Sequence, residues 1–261
     1  MGRLPMKLGV RPARRSVLMP LVIVLGLVVG LTGWMLQGPS RPRPAFVLAS
    51  ASLGPVLTKL LPQLEAAVGR HLQIEAAGTP TLLAQIRSGV RADLIVSADE
   101  KSATSLEKEG LAVGTPQLVA YNRLAVVTEP GNPRRLHSLA DLERKGLVIA
   151  LAGPEVPAGR YARTAFAAAH LPVPRAASEP SVDGVLTAVR TGAADAGVVY
   201  ATDARRAAPG VAHLPLDLGI RTTCVAVSIR SGDLGLSRRL LAALTDAGVR
   251  KALADFGFEL P

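Results

Sequence analysis

Short apolar runs alternate with segments of helical periodicity from Phe46 onward, and this alternation limits the folds open to the chain. The run FVLASA at 46–51 has the length of a buried strand, and apolar residues between 53 and 68 recur at helical spacing, with Pro62 expected to kink that helix. The same reasoning predicts strands at 72–77, 93–97, 147–151 and 195–200, and helices at 80–88, 100–109, 159–169 and 182–190. Such alternation is typical of an α/β protein with a mostly parallel sheet flanked by helices.

Two segments are predicted to cross between two lobes of this kind. Residues 117–130 (QLVAYNRLAVVTEP) are long for one ordinary strand, and residues 222–229 (TTCVAVSI) return the chain before two C-terminal helices. We therefore expect one lobe formed by 46–122 plus 221–261 and a second lobe formed by 123–220. Clefts between domains are favoured ligand sites.

Residues 1–45 differ in composition from the rest of the chain. They hold seven Lys or Arg and no acid, and residues 17–36 form an uncharged stretch of twenty residues. That length suits a membrane span, and the basic residues before it would keep the N-terminus in the cytoplasm and export the rest. We expect a basic cytoplasmic segment, an uncleaved signal-anchor at 17–36 and a linker, with cleavage to a soluble periplasmic form as the alternative. The pair Arg14-Arg15 leaves both Sec and twin-arginine export open.

The composition of residues 46–261 excludes several classes of function. They carry 23 basic and 20 acidic groups, so most of the net charge of +10 belongs to the leader. With 3% aromatic residues as well, the chain lacks the basic, base-stacking surface of a nucleic-acid-binding protein. Cys224 is the only cysteine and is expected in the core, and the four histidines are scattered. No motif pairs a nucleophile with a base, so no enzyme activity is predicted.

Four predicted strand-to-helix turns carry small or hydroxyl-bearing residues. Ser52 follows the first strand and is placed to cap the next helix, and Thr79 before Pro80 suits an N-cap and first turn. Ala158 and Val182 lie at two later helix starts. First-turn N–H groups have no intrahelical acceptor and carry partial positive charge, so several that converge form an anion site without Lys or Arg. The expected ligand is a compact anion.

Several segments together carry a resemblance to a known family. They are ASASL, GTPTLLAQI followed by GVRADLIVSAD, PEVPAGRYA, TGAADAGVVYATDA and the terminal FGF. In the order and spacing of these segments, the chain from Phe46 to Phe258 resembles the molybdate-binding proteins of ABC importers. The resemblance implies a two-lobed periplasmic-binding-protein fold of type II, with an oxyanion held by hydroxyls and backbone amides.

The resemblance also assigns roles by motif position. The implied oxyanion ligands, with no direct metal ligand among them, are the hydroxyls of Ser52, Thr79 and Tyr200 and the backbone N–H groups of Ala158 and Val182. Two positions depart from the family pattern. Thr79 replaces a serine and is followed by Pro80, which has no N–H to donate. Asp183 stands where the family often has an arginine and adds negative charge near the expected site.

Donors of this kind favour an anion that carries no proton, because a protonated phosphate would also need an acceptor. Glu155, Glu179 and Asp183 lie near the turns, and one of them pointing inward would favour phosphate. Molybdate, tungstate and sulfate differ in size, and the sequence leaves the choice among them open.

The resemblance implies an extracytoplasmic solute-binding protein that captures molybdate or tungstate and delivers it to an ABC importer. The alternatives are a receptor for sulfate or phosphate and an anchored oxyanion sensor. The expected partners are the oxyanion, an ABC permease with its ATPase subunit, and the membrane through 17–36. We expect a monomer with no cofactor. Asp93 and Asp99 are expected to cap helices or hold hinges, and Arg205-Arg206 to form a solvated face.

Overall fold

A computed structural model describes residue 2 and residues 43–173, 176–214 and 218–261. Pro44–Pro261 forms one compact unit. The expected signal-anchor at 17–36 lies outside the described residues. Within the described ranges, no helix has both the length and the apolar character needed to cross a membrane.

Strands and helices alternate through this unit, as the sequence predicts. The strands are β1 (Ala45–Ser50), β2 (Leu72–Ala77), β3 (Leu94–Ser97), β4 (Ala112–Thr128), β5 (Ile149–Ala152), β6 (Ala176–Glu179), β7 (Ala196–Tyr200), β8 (Ala212–Leu214) and β9 (Arg221–Ile229). The helices are α1 (Gly54–Lys59), α2 (Leu61–Val68), α3 (Thr79–Arg87), α4 (Glu100–Lys108), α5 (Pro157–Ala168), α6 (Val182–Arg190), α7 (Ala201–Ala207), α8 (Leu234–Leu244) and α9 (Ala247–Phe256), with a short 3₁₀ turn at Ala140–Glu143.

The strands form a mixed sheet in the order β2-β1-β3-β9-β4-β7-β5-β6, and β8 also pairs with β4. Pairing is parallel at the two ends, where β1 lies between β2 and β3 and β5 lies between β6 and β7. It is antiparallel in the middle, at β4 and β9. The expectation of a mostly parallel sheet is therefore wrong for the middle strands. The reason is that β4 leaves the first part of the sheet, formed with β2, β1, β3 and β9, for the second part, formed with β7, β5 and β6, and β9 returns to the first part. The two strands therefore run in opposite directions.

Strand β4 passes from the first part of the sheet to the second. Ala112–Arg123 pairs with β9, and Leu124–Thr128 pairs with β7. The strand therefore begins earlier than the predicted 117–130, but its long crossing course is as expected.

The apolar core packs on both faces of the first part of the sheet. In β1, Val47 belongs to one core cluster with Leu57, whereas the next residue, Leu48, belongs to another cluster with Leu82. Successive side chains of a strand point to opposite faces, so β1 is buried between two layers of helices. A third cluster, which includes Phe166, surrounds the second part.

One local prediction is corrected by the structure, and three elements were missed. Pro62 does not kink one long helix. The helix is interrupted at Leu60, and Pro62 lies in the first turn of α2, where its missing N–H is not needed. Strands β6 and β8 and helix α7 were not predicted.

Candidate functional site

All the sequence-predicted site residues line one pocket, which has an atom-free volume of about 210 Å³. The pocket lies where the ends of β1, β3 and β7 meet the starts of α3, α5 and α6. Its lining consists of Ser50, Ala51, Ser52, Gly78, Thr79, Ala98, Val156, Pro157, Ala158, Ser181, Val182 and Tyr200. Residues from both parts of the sheet thus enclose one small space, and Lys, Arg, Asp and Glu are absent from this lining.

Ser52 lies in the turn between β1 and α1 and is buried, with 6% of its surface exposed. It does not cap the following helix, as the sequence suggested. The N-cap is Leu53, and no side chain bonds to that helix start. The Ser52 hydroxyl is therefore not engaged in capping, and it lines the pocket instead.

Thr79 is the first residue of α3 and not its N-cap, which corrects the second capping prediction. The cap position belongs to Gly78, with Pro80 in the first turn. A Cβ atom built on Gly78 would overlap the carbonyl oxygen of Pro180, so glycine permits a close contact between the turn before α3 and the turn before α6. This contact holds Thr79 beside Ser181 in the pocket lining.

Ser50 is a site residue that the sequence reasoning missed. Its Oγ lies 2.8 Å from Thr79 Oγ1 and accepts a hydrogen bond of 3.1 Å from the backbone N–H of Ala98. Both hydroxyls are buried, with 2% of each residue exposed. Ser50 is the last residue of an apolar strand, so nothing in the hydrophobic pattern distinguishes it from a core residue. The signal available was its place at the carboxyl end of a strand, where ligands bind in open α/β sheets.

Ala158 lies in the first turn of α5, where its N–H has no intrahelical acceptor. The neighbouring Gly159 explains how this turn reaches the pocket. A Cβ atom on Gly159 would overlap the carbonyl oxygens of Ala152 and Gly153, so glycine allows α5 to start directly against the end of β5. The Ala158 amide is fixed at the pocket by this close packing.

Val182 is the first residue of α6, and its N–H is likewise without an intrahelical acceptor. Ser181 caps the helix through a hydrogen bond of 3.3 Å from the Gly184 N–H to its Oγ. Asp183 points away from the pocket lining, and its carboxylate accepts a hydrogen bond of 2.8 Å from Arg206. The ion pair offsets the charge that the sequence placed near the site. Arg205 and Arg206 are both exposed, as expected of a solvated face, and the pair with Asp183 forms there.

Tyr200 ends β7 and is almost fully buried, with 2% of its surface exposed. Its hydroxyl has no hydrogen-bond partner within the part of the chain that the structure describes. Burial raises the pKa of this phenol well above its usual value, so the group stays a neutral donor. A buried hydroxyl without a partner is costly, and this one belongs to a residue of the pocket lining, where an oxygen of a ligand could accept its hydrogen bond.

Two further titratable groups lie near Tyr200. Burial raises the pKa of the Cys224 thiol to about 12, which keeps it inert and confirms its core position. Burial raises the pKa of Asp203 to about 7, although Arg206 opposes this shift. One carboxylate oxygen of Asp203, Oδ2, has no hydrogen-bond partner among the described residues.

An ion pair between Asp99 and Arg160 lies close to the pocket and connects α4 with α5. Asp99 caps α4 by accepting from the Ser102 N–H, as predicted for a capping role, and it also accepts a hydrogen bond from Arg160. The Asp99 side chain is 3% exposed, and that of Arg160 is 23% exposed. Asp93 likewise accepts from the backbone N–H of Phe46 and Asp233, which confirms its structural role.

The pocket can donate hydrogen bonds from several directions, and it offers no carboxylate that could accept a proton from a ligand. Glu155 and Asp183 are exposed, and neither these residues nor Glu179 belong to the lining. Over the described ranges, no group of His, Cys, Asp and Glu could hold a metal ion. The chemistry of the lining therefore suits a small, fully deprotonated anion.

Comparison with known proteins agrees with this geometry. A family model for bacterial extracellular solute-binding proteins matches residues 45–259. The molybdate-binding protein ModA of Mycobacterium tuberculosis (strain ATCC 25618 / H37Rv) is 34% identical over 248 residues, which cover 92% of this chain and 95% of the relative.

Solved structures share the fold. The periplasmic molybdate-binding protein of Azotobacter vinelandii superposes with a TM-score of 0.70 at 22% identity and covers 83% of this chain and 99% of that one. The sulfate-binding protein SubI of Mycobacterium tuberculosis H37Rv also has a TM-score of 0.70, at 16% identity, over 83% of this chain and 86% of that one. The chain belongs to the bacterial extracellular solute-binding proteins and, among them, to the family of molybdate-binding proteins of ABC importers.

Proposed function

We propose that the chain is an extracytoplasmic receptor that captures molybdate or tungstate and delivers it to an ABC importer. Ser52, Thr79 and Tyr200 would donate from their hydroxyls, and Ala158 and Val182 from their backbone N–H groups. The observation that carries the proposal is the Tyr200 hydroxyl, which is buried in a residue of the pocket lining and has no hydrogen-bond partner among the described residues.

The energetics favour tight binding of a dianion. A hydrogen bond to a charged group contributes roughly 1.5 to 3 kcal/mol, so five such donors supply a free energy of the same order as the roughly 4 to 15 kcal/mol that association costs. The starts of α5 and α6 add partial positive charge. These donors are uncharged, so they bind the anion without forming an ion pair. Binding therefore needs no lysine or arginine beside the anion.

We further propose that the two parts of the sheet are lobes that move relative to each other, with 46–122 plus 221–261 in one lobe and 123–220 in the other. Ser52 and Thr79 then belong to the first lobe, and Ala158, Val182 and Tyr200 to the second. An anion that bonds to both lobes binds the closed form better than the open one and shifts the population toward it. The closed form would be the one presented to the permease and its ATPase subunit.

We place the folded part on the outer face of the cytoplasmic membrane, as a monomer held there by residues 17–36. Such an anchor would keep the receptor beside its transporter and raise its effective concentration. The names of the relatives support this placement, because the family is described as extracellular and the Azotobacter protein as periplasmic.

The test is thermal unfolding of the full-length chain, purified in detergent, with molybdate, tungstate, sulfate and phosphate in turn. A ligand at 100 times its dissociation constant is expected to add about 2.7 kcal/mol to the free energy of unfolding. Stabilisation by molybdate or tungstate, with little effect of phosphate, supports the proposal. Stabilisation by sulfate or phosphate but not by molybdate would replace the ligand, and no response to any of the four would overturn the receptor function.

A further inference from the structure

We propose that Ser50 is a positioning residue of the oxyanion site: it binds the Thr79 hydroxyl, so that the two side chains together present one O–H hydrogen to the pocket from a fixed position. The inference rests on the proposed function and adds a residue to it.

Three groups form a short series of hydrogen bonds. The backbone N–H of Ala98 donates to Ser50 Oγ at 3.1 Å, and Ser50 Oγ lies 2.8 Å from Thr79 Oγ1. Ser50 and Thr79 are each 2% exposed, and both line the pocket with Ala98. The three groups come from the ends of β1 and β3 and the start of α3, so their positions are fixed by secondary structure.

The hydrogens of the Ser50 and Thr79 hydroxyls determine what these two residues can donate to a ligand. Each hydroxyl has one hydrogen to donate and two lone pairs to accept with. If Ser50 donates to Thr79, the hydrogen of Thr79 is left over. If Thr79 donates to Ser50, both lone pairs of Ser50 are filled and the hydrogen of Ser50 is left over. In either arrangement one hydrogen remains, and neither hydroxyl makes another hydrogen bond within the described part of the chain.

The consequence concerns affinity. The leftover hydrogen can be donated to an oxygen of the ligand, and the bond to Ser50 fixes the position of the Thr79 hydroxyl. Without Ser50, the Thr79 hydroxyl would lose this bond and could rotate away from the ligand. The Ala98 N–H would also be left buried without its acceptor.

Ser50→Ala in the full-length chain tests the inference by calorimetric titration with molybdate. We expect molybdate binding to weaken by about tenfold, because the hydroxyl that donates to the anion is no longer held in place. Ser50→Cys, which keeps the size of the side chain but hydrogen-bonds weakly, is expected to do the same and serves if the alanine variant is unstable.

A double-mutant cycle separates positioning from a general structural effect. In a Thr79→Val background, Ser50→Ala is expected to add little, because the hydroxyl that it orients is gone. The matched control is Ser228→Ala, which removes a buried hydroxyl bonded at 2.9 Å to Ser237 away from the pocket lining. This control is expected to lower stability without changing affinity.

Three outcomes would overturn the inference. One is unchanged affinity for molybdate in Ser50→Ala, and another is full additivity with Thr79→Val; in both, wild-type binding of molybdate leaves the proposed function standing. The third is a wild-type protein that binds no tested anion, which rejects the proposed function and this inference together.

Discussion

Gly78 lies so close to the carbonyl oxygen of Pro180 that a Cβ atom at position 78 would overlap it. The backbone of Gly78, with φ −57° and ψ 136°, is open to any residue, so the contact and not the conformation requires glycine. Because Gly78 precedes α3 and Pro180 precedes α6, this contact joins the two sides of the pocket.

Gly78→Ala is therefore expected to oppose closure of the pocket. The added methyl group would force the turns apart, and we expect molybdate affinity to fall by about tenfold or more, with little change in the stability of the anion-free protein. Calorimetric titration and thermal unfolding measure the two effects. Gly235→Ala, whose Cβ would come no closer than 3.3 Å to a side-chain oxygen of Asp233, is the control. Equal affinity of the two variants would contradict the prediction.

Tyr200→Phe is expected to weaken molybdate binding by about tenfold to a hundredfold, because one donor to the anion is lost. The same change should leave the anion-free protein as stable as the wild type or more stable, since it removes a buried hydroxyl that makes no hydrogen bond to any residue the structure describes. Titration gives the affinity, and urea unfolding without anion gives the stability. A variant that loses stability but keeps its affinity would show that the hydroxyl serves the core.

The Asp99–Arg160 ion pair is expected to stabilise the fold more than an exposed pair does. Arg160→Gln leaves a carboxylate that is 3% exposed without its charged partner, and we expect a loss of about 1 to 3 kcal/mol in the free energy of unfolding. Arg87→Gln breaks a pair with Glu109 in which both side chains are more than a third exposed, and its loss should stay below about 1 kcal/mol. Urea unfolding compares the two variants, and equal losses would show that the buried ion pair stabilises the fold no more than the exposed pair does.

Asp203 is expected to make stability depend on pH between about 4 and 7. Its pKa is raised to about 7 in the folded protein against an ordinary value of 3.8, mainly by burial. The folded state therefore holds this proton more strongly than the unfolded state. The contribution of Asp203 to the free energy of unfolding is thus greatest below pH 4 and declines as pH rises through 7, by at most about 4 kcal/mol.

Asp203→Asn cannot ionise at this position, so the difference between wild type and variant isolates the effect. Urea unfolding of both proteins at several pH values is the measurement. The wild type should lose stability relative to the variant as pH rises from 5 to 8. Parallel curves for the two proteins would contradict the raised pKa.

The sequence predicted the framework of the fold well because that framework depends on apolar periodicity. Strand 72–77 and helix 182–190 have the predicted bounds in the structure, since each has strong apolar spacing and a clear turn beside it. Strand β6, with the sequence AASE, and helix α7, with ATDARRA, have no such spacing. Strand β6 forms because β5 supplies a neighbour, and α7 packs against β4 and β7, so both are tertiary effects.

Five residues of the candidate site were predicted, but Ser50 and the bonds within the site were not. Residues at strand ends and helix starts could be chosen by position, and they line one pocket. The bond from Ser50 to Thr79, however, joins positions 29 residues apart. The pairing of Arg206 with Asp183 is also between distant positions. Contacts of this kind depend on how the elements pack, which no local pattern contains.

Cys224 is the only thiol of the chain, and it is buried with a pKa of about 12. Maleimide dyes react with exposed thiolates, so the native protein should stay unlabelled while it is folded. A cysteine introduced on the surface would then be the single point of attachment, without prior removal of Cys224. The protein is thus already suited to carry a fluorescent reporter for the anion it binds.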